Sequence, residues 1–282
     1  MKRWRFSFVF AVAAWLSLTA AKADEPLVHL HTIAPDGYHV IEAQKLERPF
    51  YIYVRLPADY GQSEKRYPVI YLLDGGYTYP LLGAYYRLLP IDEPMPEAIV
   101  VGIAYAGGTF DEGNMRGTDF TAPSAERDFW GGAPAFQDFL AGELLPFIAE
   151  QYRTDESRRI IYGQSLGGQF LVYSAMTMPD LFWGRIASNP AFHRNLDYFL
   201  NLEPAAAKTD THLIVTAASD ETEVFRTPSQ RWAAHWAAVA DLPFQLHVID
   251  LPGERHATAT PLAFRAGMRV LFPADAAQGA QD

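Results

Sequence analysis

Three kinds of side chain in this sequence would do covalent chemistry if brought together: a serine between glycines, a late histidine, and a run of carboxylates lying between the two in the chain. The serine is Ser165, in Gly163-Gln164-Ser165-Leu166-Gly167-Gly168. The apolar run Arg159-Ile160-Ile161-Tyr162 precedes it and reads as a buried strand. Gln169-Phe170-Leu171-Val172-Tyr173-Ser174-Ala175-Met176 follows and reads as a helix, so the pattern G-x-S-x-G falls on a strand-to-helix corner, where a nucleophile elbow belongs. A side chain on so sharp a turn needs small neighbours two positions to either side, where the strand and helix backbones approach. Gly163 and Gly167 meet that need. The helix after Ser165 would aim its first N–H groups, that of Leu166 foremost, at an oxyanion forming beside the hydroxyl.

A hydroxyl is a weak nucleophile at neutral pH and needs a base, which in turn needs an orienting carboxylate. In the chain order serine, acid, histidine, each group sits beyond the C-terminal end of a strand. That order filters the eight histidines. His29, His31 and His39 precede the serine, His212 and His247 fall at or within later strands, and His235 lies within a helix. His193 and His256 remain. His256 follows the last strand, where the base belongs, whereas His193 follows an earlier strand and suits a substrate pocket or the surface. Asp220, Glu221 and Glu223 follow the strand Leu213-Ile214-Val215-Thr216-Ala217. Asp220 comes first and is the expected acid, with Glu221 and Glu223 as alternatives and a Ser–His pair without a carboxylate as another. His29-Leu30-His31 has same-face spacing but no third ligand nearby, so no metal is expected, and the chemistry requires no organic cofactor.

These groups need a sheet to hold them. Short β-prone runs at 27–33, 39–45 and 50–56 read as opening antiparallel strands. The unbroken apolar runs 68–73 and 98–103 are typical of strands covered on both faces. Asp74-Gly75-Gly76-Tyr77 follows the first of these, and the expected second oxyanion donor is Gly76 or its neighbour Tyr77, itself also a candidate substrate contact. A helix is expected over 79–89, and the Gly-, Asp- and Thr-rich stretch 105–130 is a candidate substrate-facing loop. Arg116 in that loop would bind substrate or staple the loop through Asp119. Residues 134–152 have helical spacing, Thr227-Pro228 reads as a helix start, and Thr260-Pro261 opens a terminal helix. The fold class is α/β, with a mostly parallel central sheet and helices on both faces.

With 282 residues, 49% of them apolar, the chain can build one sizeable α/β domain over 24–282. Residues 1–23 read as a cleavable secretory signal: a basic start at Lys2-Arg3-Trp4-Arg5, an apolar stretch from Phe6 to Ala20, and Ala21-Lys22-Ala23 before Asp24. The expectation is a periplasmic or secreted protein with no stable membrane insertion after cleavage. The absence of cysteine excludes a disulfide framework and a lipid-bearing cysteine. Losing the four cations of residues 1–23 would take the net charge from −10 to −14, which argues against nucleic acid as a partner.

Beyond the elbow, the chain resembles the esterase D-like branch of the α/β-hydrolases, which also holds siderophore esterases and mycolyltransferases. The resemblance rests on Tyr71-Leu72-Leu73-Asp74-Gly75-Gly76, Arg116-Gly117-Thr118-Asp119-Phe120-Thr121, Glu143-Leu144-Leu145-Pro146-Phe147-Ile148, the elbow, Pro179-Asp180-Leu181-Phe182 and Gly253-Glu254-Arg255-His256. It implies a serine hydrolase in which Ser165 and His256 match the family's nucleophile and base, while the family's acid position varies. Gln164 stands where many relatives carry histidine, a departure expected to alter substrate preference without preventing catalysis. An exported member looks most like the periplasmic siderophore esterases, so a ferric siderophore is a candidate ester substrate, with Arg87, Arg116 and Arg226 as cations to meet it. Two rivals use the same scaffold: acyl transfer to an alcohol acceptor, and a non-catalytic binding protein.

Overall fold

Eight strands, β1 (Gly37–Ala43), β2 (Arg48–Arg55), β3 (Tyr67–Leu72), β4 (Ile99–Ala104), β5 (Thr154–Gln164), β6 (Gly184–Ser188), β7 (His212–Ala218) and β8 (Gln245–Leu251), form one sheet in the order β1-β2-β4-β3-β5-β6-β7-β8. The structure, a computed structural model, describes Leu30 and residues 33–273; the expected signal segment 1–23, the His29/His31 pair and most of the expected strand 27–33 lie outside the described residues. β1 and β2 are antiparallel and the other six strands run parallel. β4 and β6 are buried at every position, as a strand covered on both faces requires, whereas edge strand β1 alternates between more and less exposed residues.

The helices are α1 (Gly75–Tyr86), α2 (Leu89–Asp92), α3 (Arg116–Asp119), α4 (Ala133–Phe139), α5 (Leu145–Gln151), α6 (Leu166–Thr177), α7 (Leu196–Asn201), α8 (Glu223–Ala237) and α9 (Thr260–Leu271). α1 and α9 cover one face, where Tyr79, Leu82, Phe264 and Met268 meet Ile70, Leu72 and Ile186. α4, α5, α6 and α8 cover the other, packing Phe136, Phe139, Phe170, Leu171 and Trp232 on Val69, Tyr71 and Val101. Among the described residues no helix is long and apolar enough to cross a membrane.

Two local departures from the sequence pattern have plain causes. The helix expected over 134–152 is interrupted by a π-helical turn at Leu140–Leu144, just ahead of Pro146, whose ring lacks an N–H and crowds the carbonyl four residues back. α8 begins at Glu223, before the expected start at Thr227-Pro228, and carries Pro228 within its first turns. This early start shortens the connection from β7 to residues 219–222 and fixes where the acidic run falls.

The end of α6 is held by Arg185 on β6, whose side chain is fully buried. Its guanidinium donates to the carbonyls of Pro179 (3.0 Å), Phe182 (2.8 Å) and Met178 (2.6 Å), and to Ser174 Oγ (3.3 Å). With the Ser174 carbonyl in the last turn of α6 also within reach (3.4 Å), the cation answers unpaired acceptors at and just beyond the helix end and sits at the negative end of its dipole.

Candidate active site

The structure places Ser165 on the expected strand-to-helix corner, and of the two flanking glycines only Gly163 is sterically required, since a Cβ on Gly167 would meet its neighbours at an ordinary 3.6 Å or more. Ser165, between β5 and α6, has φ 59° and ψ −112°, a strained conformation that costs a non-glycine residue about 1–3 kcal/mol. Its backbone is fixed from β6 and the loop beyond: Ser165 N–H donates to the Ser188 carbonyl (2.9 Å), and the Ser165 carbonyl accepts from Ala191 N–H (3.1 Å). A Cβ on Gly163 would stand 2.6 Å from the backbone of Gly167, so only glycine lets the strand and helix cross here.

Strand β3 brings the turn that holds the expected second oxyanion donor alongside. Leu73 N–H donates to the Tyr162 carbonyl (3.0 Å), so the 73–76 turn lies beside the end of β5. α1 opens immediately after Asp74, which takes a left-handed conformation (φ 55°, ψ 43°). Tyr77 N–H is spent on the Asp74 carbonyl (3.0 Å), and Thr78 N–H also donates there (3.1 Å). Gly76 precedes these first intrahelical donors, as Leu166 does at the head of α6, and helix geometry leaves both N–H groups without an intrahelical acceptor. Of the two expected donors, Gly76 is the one whose N–H the helix does not consume.

His256 lies on the loop between β8 and α9, and its Nδ1–H donates to Glu221 Oε1 at 2.8 Å. The carboxylate that the structure brings to His256 is thus Glu221, one of the two alternatives to the expected Asp220. Asp220 is exposed; its N–H is tied to the Glu254 carbonyl (2.9 Å) and its carboxylate accepts from Ser219 Oγ (2.9 Å). In so short a turn adjacent side chains diverge, and it is the next residue, Glu221, with a side chain only 7% exposed, that faces the histidine. Glu223 is exposed and pairs with Arg226 and Thr227 of its own helix.

The expected substrate contacts fare differently. Tyr77 and Arg116 line a cavity of about 550 Å³ together with Gly76, Asp74 and Tyr105. Arg116, however, is joined to Asp74 by two hydrogen bonds, so its charge is already matched. The alternative staple to Asp119 is also absent: Asp119 is fully buried and held by Arg48 and by the Tyr105 hydroxyl (2.8 Å). Arg226 is paired with Glu223, and Arg87 lines a separate cavity of about 240 Å³ with Arg55 and Glu97. His193 is separated from His256 by Phe225, which meets the His193 ring edge-on at 4.3 Å and overlies the His256 ring at 4.6 Å. Burial, followed by the nearby Arg194 and His256, pushes the His193 pKa down to about 4.

The roles of Phe225 and Gln164 are not written in the local sequence. Phe225 falls before the expected helix start, so nothing near it marks it as a shelf for His256. Gln164, expected to bear on substrate preference, turns its side chain into the protein, where its Nε2 donates to the His256 carbonyl. Among the described residues no group of three or more metal-ligating side chains could hold a metal ion.

The model of a family described as "Putative esterase" matches residues 43–266. The ferri-bacillibactin esterase BesA of Bacillus subtilis (strain 168) is 30% identical over 208 residues, covering 67% of this chain and 68% of that protein. The apo-salmochelin esterase of Escherichia coli O6:H1 is 26% identical over 145 residues, 48% of this chain and 45% of the relative. Among solved structures, an IroE-like serine hydrolase from Shewanella oneidensis superposes with a TM-score of 0.72 at 24% identity, over 84% of this chain and 80% of that one. The sheet order and helix placement are those of the α/β-hydrolase fold.

Proposed function

This chain belongs to the Esterase family, and from that membership we propose that it hydrolyses carboxylic esters through an acyl-enzyme on Ser165, with His256 as base and Glu221 as its orienting acid. The observation that carries the assignment is the Glu221–His256 hydrogen bond, with the backbone of His256 tied to Gln164, the residue before a strained serine. With Nδ1–H given to Glu221, Nε2 is the ring nitrogen left to accept the Ser165 proton. Ser165 Oγ attacks the ester carbonyl carbon, the carbonyl oxygen becomes an oxyanion received by the N–H groups of Leu166 and Gly76, and His256 returns the proton to the departing alcohol. Water then adds to the acyl-enzyme by the same route, losing a proton to His256, and Ser165 recovers it as the carboxylic acid leaves.

For the substrate, the names of the relatives support a siderophore ester. The cavity beside Gly76 and Tyr77 is of a size to take one aryl arm of such a molecule. Export through cleavage after Ala23 completes the reading, and N-terminal sequencing of the native protein checks it.

The decisive experiment is labelling with a fluorophosphonate probe, followed by hydrolysis of short-chain, aryl and siderophore esters. Labelling of wild type that is lost in Ser165→Ala and strongly slowed in His256→Ala, with turnover of catecholate siderophore esters, is the expected result. A folded wild-type protein that neither labels nor turns over any ester refutes the proposal.

A further inference from the structure

Gln164 sits one residue before Ser165 and is 5% exposed, so its amide must find partners inside the protein. It finds them on β5, on β6 and on the loop beyond β8. Its Oε1 accepts from the Ser188 hydroxyl at the end of β6 and, at 3.4 Å, from the Tyr162 hydroxyl. Its Nε2 donates to the backbone carbonyl of His256. The same Tyr162 hydroxyl lies 3.3 Å from the Thr260 carbonyl at the head of α9, its single proton shared between that oxygen and Gln164 Oε1. The orientation of the amide follows from its surroundings: a carbonyl accepts only, so the NH2 end must face His256 and the oxygen must face the hydroxyls.

From this geometry we infer that Gln164 is a positioning residue for the base: it couples the backbone of the elbow to the backbone of His256 and so sets the height of the imidazole over Ser165. The inference rests on the catalytic reading proposed above. Glu221 fixes the rotation of the ring from its Nδ1 side, and Phe225 overlies its face. Neither constrains how far the loop stands from the elbow. Gln164 does, because it is covalently adjacent to Ser165 and bonded to the backbone of His256 itself. A glutamine also keeps the tie independent of pH, since its amide does not titrate.

The chemistry of the tie gives a test that a merely structural residue would not pass. In Gln164→Glu the carboxylate cannot donate to the His256 carbonyl while ionised, but can once protonated, and burial raises the pKa of such a carboxyl toward the neutral range. We expect kcat/KM of Gln164→Glu to fall as pH rises through that range, a descending limb that wild type does not show, giving a bell-shaped profile. Gln164→Leu, which has no donor at any pH, should lose about 10- to 100-fold in kcat and in the rate of fluorophosphonate labelling with KM within about twofold, as expected of a displaced base. Gln164→His, which restores a donor, should recover a part of the loss. Ser188→Ala, which leaves Nε2 in place but frees the oxygen, should cost less than Gln164→Leu, and the pH profile of Gln164→Glu carries the test if the leucine variant does not fold.

The measurements are pH–rate profiles on an aryl ester, with circular dichroism of each variant as a check on folding. A Gln164→Glu profile parallel to wild type, or a Gln164→Leu variant within about twofold of wild-type kcat, overturns the inference while leaving the esterase reading intact. An inactive, unlabelled wild type would overturn the esterase reading instead, so the two failures are distinguishable.

Discussion

Arg116 grips Asp74 with two parallel hydrogen bonds, Nε to Oδ1 at 2.8 Å and Nη2 to Oδ2 at 3.0 Å. The pair joins α3 to the turn that opens α1. Asp74 is buried and left-handed, and the next residues are Gly75 and Gly76, so the arginine holds the conformation that aims the Gly76 N–H. A Cβ on Gly75 would stand 2.6 Å from the Ile103 backbone nitrogen, which leaves the turn no room to move toward β4. The lining of the cavity and the turn that carries the proposed oxyanion donor therefore meet in one ion pair.

Replacing Arg116 by Met should leave the Asp74 carboxylate buried and uncompensated. The expected loss is about 3–5 kcal/mol in urea unfolding, with a fall in kcat larger than any rise in KM. Arg116→Lys keeps the charge without the planar fork and should recover only part of both. A Met variant within about 1 kcal/mol of wild type, close to what extrapolation from urea resolves, would show that the pair carries no structural weight.

The acid assignment separates two adjacent residues. Glu221→Gln should lower kcat by about 10²–10⁴-fold, because His256 would lose the carboxylate that holds its tautomer and stabilises its protonated form. Asp220→Ala should stay within about twofold of wild type, since among the described residues its exposed carboxylate accepts a hydrogen bond from Ser219 and none from His256. Steady-state kinetics on an aryl ester decides, and the reverse ranking would return the role to Asp220.

His193 gives a pH dependence with a definite sign. Burial holds its pKa down to about 4, below the ordinary 6.5, so the folded protein favours the neutral ring. The corresponding stability is present above pH 6.5 and is lost as pH falls from there toward 4. The Tm advantage of wild type over His193→Gln should therefore shrink across that window in thermal melts, and an advantage that is constant with pH would contradict it.

Arg185 should be the most costly of these positions for folding alone. Arg185→Met leaves the carbonyls of Pro179, Phe182 and Met178 without their donor in a fully buried site. Unsatisfied buried acceptors cost about 1–3 kcal/mol each, so Tm should drop by about 10 °C in a calorimetric scan. A change of less than about 2 °C would mean that other donors replace it.

What local chemistry dictates was legible in the chain before it folds. Gly163 announces the elbow because a Cβ there would stand 2.6 Å from the Gly167 backbone, and the apolar runs at 68–73 and 98–103 announce buried strands because solvent cannot reach either face. The place of His256 on the loop after the last strand was legible because order along the chain and strand ends admit few candidates. Pattern and spacing thus specified the sheet, the corner that presents Ser165 and the loop that carries the histidine. The choice among Asp220, Glu221 and Glu223 belonged to the folded molecule, since all three are carboxylates in one short run and only the meeting of two loops 35 positions apart tells them apart. The partners of Arg116 and Gln164 were decided the same way: their contacts lie 42 and 92 residues away, and a hydrogen bond at that separation exists only once the sheet has brought the strand ends to one edge.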